Sequence, residues 1–231
     1  MITEEERAYA LALEQNTPEW LQYKVGKVSA SKISDITAKL RNGIPSASRA
    51  TYLGELIAER LTEVRTDNVR VTPAMEWGTA MEPVARKAYQ FHAMALVQRV
   101  GCVLHPFIDG ALCSPDGLLA PNGMVEIKCP NTNTHVDFVL GAAIPSRYLQ
   151  QMQWQLACTG RQWVDYVSFD PRLPEHLRLW VQRVPRDNEM IDLLEWEVKS
   201  FLYDLEQRLA ALGKIDATEV AYQTRQAEVA A

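Results

Sequence analysis

The chain has 231 residues, 47% of them apolar and 23% charged, with 12 prolines spread along it, enough sequence for one sizeable hydrophobic core. Its 24 basic against 29 acidic residues leave a net charge of −5, which excludes a protein that coats nucleic acid over its whole surface; a duplex would have to meet positive charge concentrated in a groove or channel. No apolar run approaches the roughly 20 residues of a membrane span, Met1 to Arg7 is too acidic for a signal peptide, and Cys102, Cys113, Cys129 and Cys158 form no C-x-x-C pair, so the expectation is a cytoplasmic protein with buried, reduced thiols and neither zinc nor an iron–sulfur cluster.

Helical spacing runs from Glu4 to Gln15, and Thr17-Pro18-Glu19-Trp20 predicts a second helix with threonine as N-cap and proline at its first position. Val25 to Ser31 is expected as a short strand or loop whose serines cap a helix from Lys32 to Leu40. Arg41 to Pro45 reads as a loop, Ser48 to Val64 as a helix with Leu53, Leu56, Ile57 and Leu61 on one side, and Thr72-Pro73 as the start of another that carries Trp77, Met81, Glu82 and Tyr89. Ala95 to Val103, Ala111 to Cys113 and Met124 to Lys128 predict three short strands. Helices follow over Val136 to Gly141 and Ser146 to Cys158, the second stopped by Gly160. Trp163 to Phe169 and Arg178 to Val184 have the aromatic and β-branched content of further strands, and Asp187 opens a long helix through Leu212, ended by Gly213. This order predicts an α/β (α+β) fold with a central mixed sheet flanked by helices: a helical part over 1–94, a sheet-bearing core over 95–186, a C-terminal helix over 187–213 and a frayed tail after Ile215, all in one domain.

Chemistry concentrates in Glu126-Ile127-Lys128, where period-two alternation puts the acid and the amine on one strand face and Ile127 in the opposite layer. Asp116 lies upstream in Ser114-Pro115-Asp116-Gly117, a turn, and Pro121-Asn122-Gly123 reads as the tight connection that folds the two segments into a hairpin. Oxygens beside one ammonium suit a divalent metal, with the lysine near the water that attacks a phosphodiester. Alone, Asp116 would be a turn residue and Glu82 a solvated helix acid. Asp109 is read as a turn residue, His105 and His135 as hydrogen-bonded structural groups, and Trp77, Trp154, Trp163 and Trp180 as core packing. Arg41, Arg49 and Arg65 suit a duplex backbone or a solvated surface equally well.

Several fragments then join in order: Trp20 with Gly26 and Ser29-Ala30-Ser31, Glu76-Trp77-Gly78 with Glu82, Cys113 to Leu118, Val125 to Pro130, Gln151-Met152-Gln153, and Phe169-Asp170-Pro171-Arg172. Each is weak alone, but their joint order resembles the lambda exonuclease family of phage recombination nucleases, the YqaJ-like viral recombinases of the restriction-endonuclease-like PD-(D/E)xK group. The resemblance implies a restriction-endonuclease-like core and a 5′-to-3′ exonuclease that degrades one strand of linear double-stranded DNA to mononucleotides. It also implies 3′ single-stranded tails passed to a single-strand annealing protein, and a homotrimeric ring whose central channel would reconcile an acidic exterior with DNA.

By the same resemblance Asp116 and Glu126 match the core metal carboxylates, Glu82 the helix-borne acid, the Ile127 carbonyl a further ligand and Lys128 the catalytic lysine. They would serve two Mg²⁺ or Mn²⁺ ions about 4 Å apart. Lys24, Ser31, Ser114 and Gln151 match positions that contact the 5′-terminal phosphate, with Ser29 and Ser31 at an expected helix start that favours an anion. Lys24 stands where better-known members carry arginine, so a bidentate grip becomes a point charge. Two other readings remain: an endonuclease of the same fold group, and a catalytically silent DNA-end binding module that loads an annealing protein. A silent module has no use for two carboxylates that repel phosphate. A CRISPR-adaptation nuclease would need clustered cysteines, which the sequence lacks.

Overall fold

The structure, a computed structural model, describes residues 2–40, 43–66 and 72–214. In chain order, α1 (Glu4–Ala12) and α2 (Pro18–Tyr23) precede the two-residue β1 (Val28–Ser29), a 3₁₀ turn at Ala30–Lys32 and the short α3 (Ile33–Thr37). Next come α4 (Ala47–Thr62), α5 (Pro73–Ala93), β2 (Val103–Leu104), β3 (Ala111–Cys113), β4 (Gly117–Leu119) and β5 (Gly123–Lys128). The chain continues through α6 (Thr132–Val139), α7 (Ser146–Thr159), β6 (Trp163–Phe169), β7 (Leu179–Pro185) and α8 (Asn188–Leu212). Local chemistry sets many of these boundaries. The side chains of Thr3, Thr17, Thr72, Asn131 and Asp187 each accept a first-turn N–H, opening α1, α2, α5, α6 and α8. Gly160, at φ 68°, takes the left-handed conformation that ends α7.

Two sheets form. The larger has the order β4-β5-β6-β7, with β5 and β6 parallel and the outer pairs antiparallel; the smaller has the order β1-β3-β2. A parallel β5–β6 pair needs a crossover, and α6 and α7 supply it. On one face of the larger sheet Met124 packs with Met152 and Leu156 of α7; on the other, Val125 and Ile127 pack with Ala85 and Tyr89 of α5. Fully buried Trp154 carries α7 across to the smaller sheet, donating to the Leu112 carbonyl at 3.2 Å within a core that includes Leu53, Leu56 and Phe201. Among the described residues no helix is long and apolar enough to cross a membrane.

Six expectations are corrected. Residues 95–102 form no strand, because their backbone groups serve other partners: Gly101 and Cys102 donate to the Leu11 and Ala10 carbonyls at 2.9 and 2.8 Å, and Gln98 exchanges two hydrogen bonds with Leu118. The helix expected from Lys32 shrinks to a 3₁₀ turn and five residues, and Ser29 at its start makes no side-chain cap. Gly117 to Leu119 is a strand rather than turn, so the hairpin is longer than read, and α6 starts four residues early because Asn131 caps it. Arg49 turns inward to Asp204 at 3.0 Å and the Ile36 carbonyl, away from any duplex. Of the tryptophans, Trp154 is core, whereas Trp77 and Trp163 are half-buried and roofed by Arg172 and Arg183. Arg41 and the tail after Ile215 lie outside the described residues.

Both histidines near the strands are structural. His135 donates from Nε2 to the Leu177 carbonyl and accepts at Nδ1 from the Ser168 hydroxyl, each at 2.8 Å. His105 accepts two backbone N–H groups at Nδ1 and stacks on Trp154, and its burial pushes the imidazole down to about 4. All four cysteines are buried as free thiols.

Candidate active site

The site grows from the β4–β5 hairpin. Antiparallel pairing sets Gly117 opposite Val125, so Asp116, one residue ahead of β4, reaches β5 and accepts the Ile127 N–H at 2.6 Å through Oδ2. Glu126 and Lys128 share a β5 face, as their spacing predicts, and their side chains form an ion pair. Glu126 is 1% exposed; Lys128 keeps an open side and lies 5.1 Å from the Tyr148 ring centroid. Two amides from α7 complete the grip on Glu126: Gln151 donates to Oε1 and Gln155 to Oε2, each at 2.7 Å. Residues four apart lie one above the other on a helix, so one α7 face carries both.

Charge is crowded here. Burial, then Glu126 and then Glu82, hold the Asp116 carboxyl well above the usual carboxylate range, against the opposing pull of Lys128. Burial alone would push the Lys128 ammonium down, but Glu126 and Asp116 override it and hold it above its ordinary value. Glu82, on α5, pairs with Arg86 one turn on. Among the described residues no group of three or more His, Cys, Asp or Glu side chains converges as a ready-made cage. The residues nevertheless fit a hard cation: the Asp116 and Glu126 carboxylates lie within electrostatic reach of one another, and Mg²⁺ is held by one or two carboxylates plus substrate phosphate rather than by an all-protein cage.

The phosphate candidates divide. Lys24, Ser29 and Ser31 line one cleft of about 700 Å³ with Trp20, Lys32 and Arg65. Lys24 lies 3.9 Å over the Trp20 ring, and burial lowers its pKa. The Trp20 indole donates to Ser114 Oγ at 3.2 Å, joining the cleft to the segment that carries Asp116. Gln151, by contrast, points its amide at Glu126. A helix-dipole argument for Ser29 and Ser31 does not apply to a single 3₁₀ turn and a five-residue helix. Gln155 was missed by sequence reasoning, although its i+4 spacing from Gln151 was the available signal.

Gly117 is the tightest point of the hairpin: a Cβ there would meet Val97 Cγ1 at 2.0 Å. Gly117→Ala is therefore expected to cost about 1–3 kcal/mol through overpacking and to displace Asp116. A melting curve checks this, with a fall of about 2–4 °C per kcal/mol; an unchanged midpoint would show that Val97 yields freely.

Compared with known proteins, residues 19–162 match the YqaJ-like viral recombinase domain. Among solved structures, the chain is 40% identical to LHK-Exo, an alkaline exonuclease from Laribacter hongkongensis, covering 93% of this chain and 100% of that one. The TM-score is 0.78 for LHK-Exo in complex with dAMP and 0.77 for a second structure of the enzyme. A phage related exonuclease from Haemophilus somnus, 16% identical over 80% of this chain and 96% of that one, shares the fold at a TM-score of 0.65. No curated protein matches the sequence.

Proposed function

The chain belongs to the YqaJ-like viral recombinase family, with a restriction-endonuclease-like mixed sheet flanked by helices, and we propose that it is a metal-dependent 5′-to-3′ exonuclease acting on linear double-stranded DNA. One observation carries this reading: Asp116, which accepts the Ile127 N–H of β5, and Glu126 on that strand lie within electrostatic reach of one another and of the Lys128 ammonium. That a 40% identical exonuclease is known in complex with dAMP supports mononucleotides as the product.

Asp116 and Glu126, with the Ile127 carbonyl and Glu82, would hold Mg²⁺ or Mn²⁺. When bound, such ions supply Lewis-acid activation of the attacking water and stabilise the leaving oxygen. Lys128 adds a compact positive charge beside that water and offsets the charge that develops on the phosphoryl oxygens. Glu126 is oriented by the Gln155 amide, which fixes the direction from which the backbone phosphate is approached. Lys24, Ser31 and Ser114 would grip the 5′-terminal phosphate, and Gln151 would join them by leaving Glu126. In this reading three copies ring the duplex in the cytoplasm of a bacterial host, and the 3′ tail passes to a single-strand annealing protein.

The test is end-labelled linear and closed circular duplex with Mg²⁺, the linear form carrying either 5′-phosphate or 5′-hydroxyl ends. The expected result is shortening of the linear form alone, from its 5′ ends, to mononucleotides, faster when phosphorylated. Nicked circles would point to an endonuclease, and binding without digestion to a silent end-binding module. Equal initial rates on the two ends would remove the phosphate cleft from the account.

A further inference from the structure

Glu126 is the most heavily engaged carboxylate of the site. An ionised carboxylate offers about four lone-pair positions. Among the described residues, donors occupy three of them: Gln151 and Lys128 on Oε1, and Gln155 on Oε2. Tyr166, its register partner on β6, leaves its buried hydroxyl without a hydrogen bond and does not take the fourth. One lone pair on Oε2 therefore remains open, and the Gln155 amide decides where it points.

Gln155 itself is fully buried, and its amide can face the carboxylate only through nitrogen, since the carbonyl end would repel the anion. The cost shows at the other end, where Oε1 of Gln155 is buried without a partner. Gln153, two residues earlier, shows what a structural glutamine on the same helix looks like: it donates to the Pro185 carbonyl and accepts the Asp187 N–H, with both ends satisfied. An apolar side chain would fill the Gln155 position without burying an orphaned acceptor, so the amide is there for what its N–H does to Glu126.

Resting on the metal-dependent reading above, we propose that Gln155 is a positioning residue that clamps Oε2 of Glu126, so that this carboxylate presents a single directed lone pair to the cation. Gln155 acts through Glu126 and touches neither DNA nor the reacting phosphate.

The experiment compares wild type with Gln155→Met, which keeps the unbranched volume and removes both donor and orphan, using Mn²⁺ as the probe. Calorimetric Mn²⁺ binding without DNA should weaken by about 10- to 100-fold, as for other groups that orient a ligand. The metal-free melting temperature should stay close to that of wild type, and hydrolysis should largely recover at saturating Mn²⁺, which moves the metal constant more than the turnover rate. Should the Met variant not fold, Gln155→Asn, which keeps a shortened amide, is read in the same way, with weakened Mn²⁺ binding expected. Equal Mn²⁺ affinity in variant and wild type, or a loss that only tracks a fall in melting temperature, overturns the proposal while leaving the metal-dependent reading intact. A wild type that cuts DNA at full rate in excess chelator overturns that reading and this proposal together, and one that binds no Mn²⁺ without DNA overturns the proposal alone.

Discussion

Lys128→Ala is expected to reduce DNA hydrolysis by about 10³-fold, the scale seen when a single charged or hydrogen-bonding group is taken from a transition state, while binding of linear duplex stays largely intact. Lys128 is the cation paired with Glu126 and close enough to Asp116 for each to shift the other's protonation. Removing it leaves the Glu126 carboxylate with its two glutamine donors, so the fold persists at a cost of about 1.5–3 kcal/mol for the lost charged hydrogen bond. Lys128→Arg should not restore activity, because a planar guanidinium does not fit the space of a compact ammonium. Single-turnover digestion and a DNA-binding isotherm, measured on the same preparation, check the outcome. Unimpaired digestion by the alanine variant would refute the role; lost DNA binding would make Lys128 a binding group instead.

Asp116→Asn should separate stability from activity in the opposite sense. The amide oxygen can still accept the Ile127 N–H, so the hairpin keeps its pairing. What disappears is a charge that burial, Glu126 and Glu82 all disfavour, so the metal-free variant should be more stable than wild type by about 1 kcal/mol, or a rise of about 2–4 °C. Hydrolysis should fall by about 10³-fold, since a neutral oxygen is a poor partner for a hard dication. Mg²⁺ should raise the melting temperature of wild type and leave that of the variant unchanged, because only a native state that binds the ion gains from it. A variant less stable than wild type without metal would mean that Asp116 serves the fold more than the chemistry.

Features that depend on a few neighbouring residues could be read from the sequence alone. Threonine and aspartate caps, Gly160, the bounds of β6 and the course of α8 all follow from local preference. So does the shared face of Glu126 and Lys128, because alternation on a strand needs no knowledge of the rest of the chain. Most of what failed depended on distant partners. Arg49 looked solvent-facing until α8 brought Asp204 beside it, 155 residues along the chain. Residues 95–102 had the alternation of a strand, but the end of α1 and β4 claimed their backbone groups. Gln155 became visible as part of the site only when α7 lay over β5, while the missed start of α6 was local and could have been read from Asn131.

The paired hydrogen bonds between Gln98 and Leu118 have a consequence for how the protein survives at high concentration. β4 is one of the two outermost strands of the larger sheet, the kind of border on which a stray chain can template itself into an aggregate. A single residue stitched to its midpoint acts as a stub of a fifth strand, so an incoming segment must first unpick that stitch. The segment that delivers Asp116 is thereby guarded on its solvent flank, and loosening residues 95–102 should register as precipitation before it registers as unfolding.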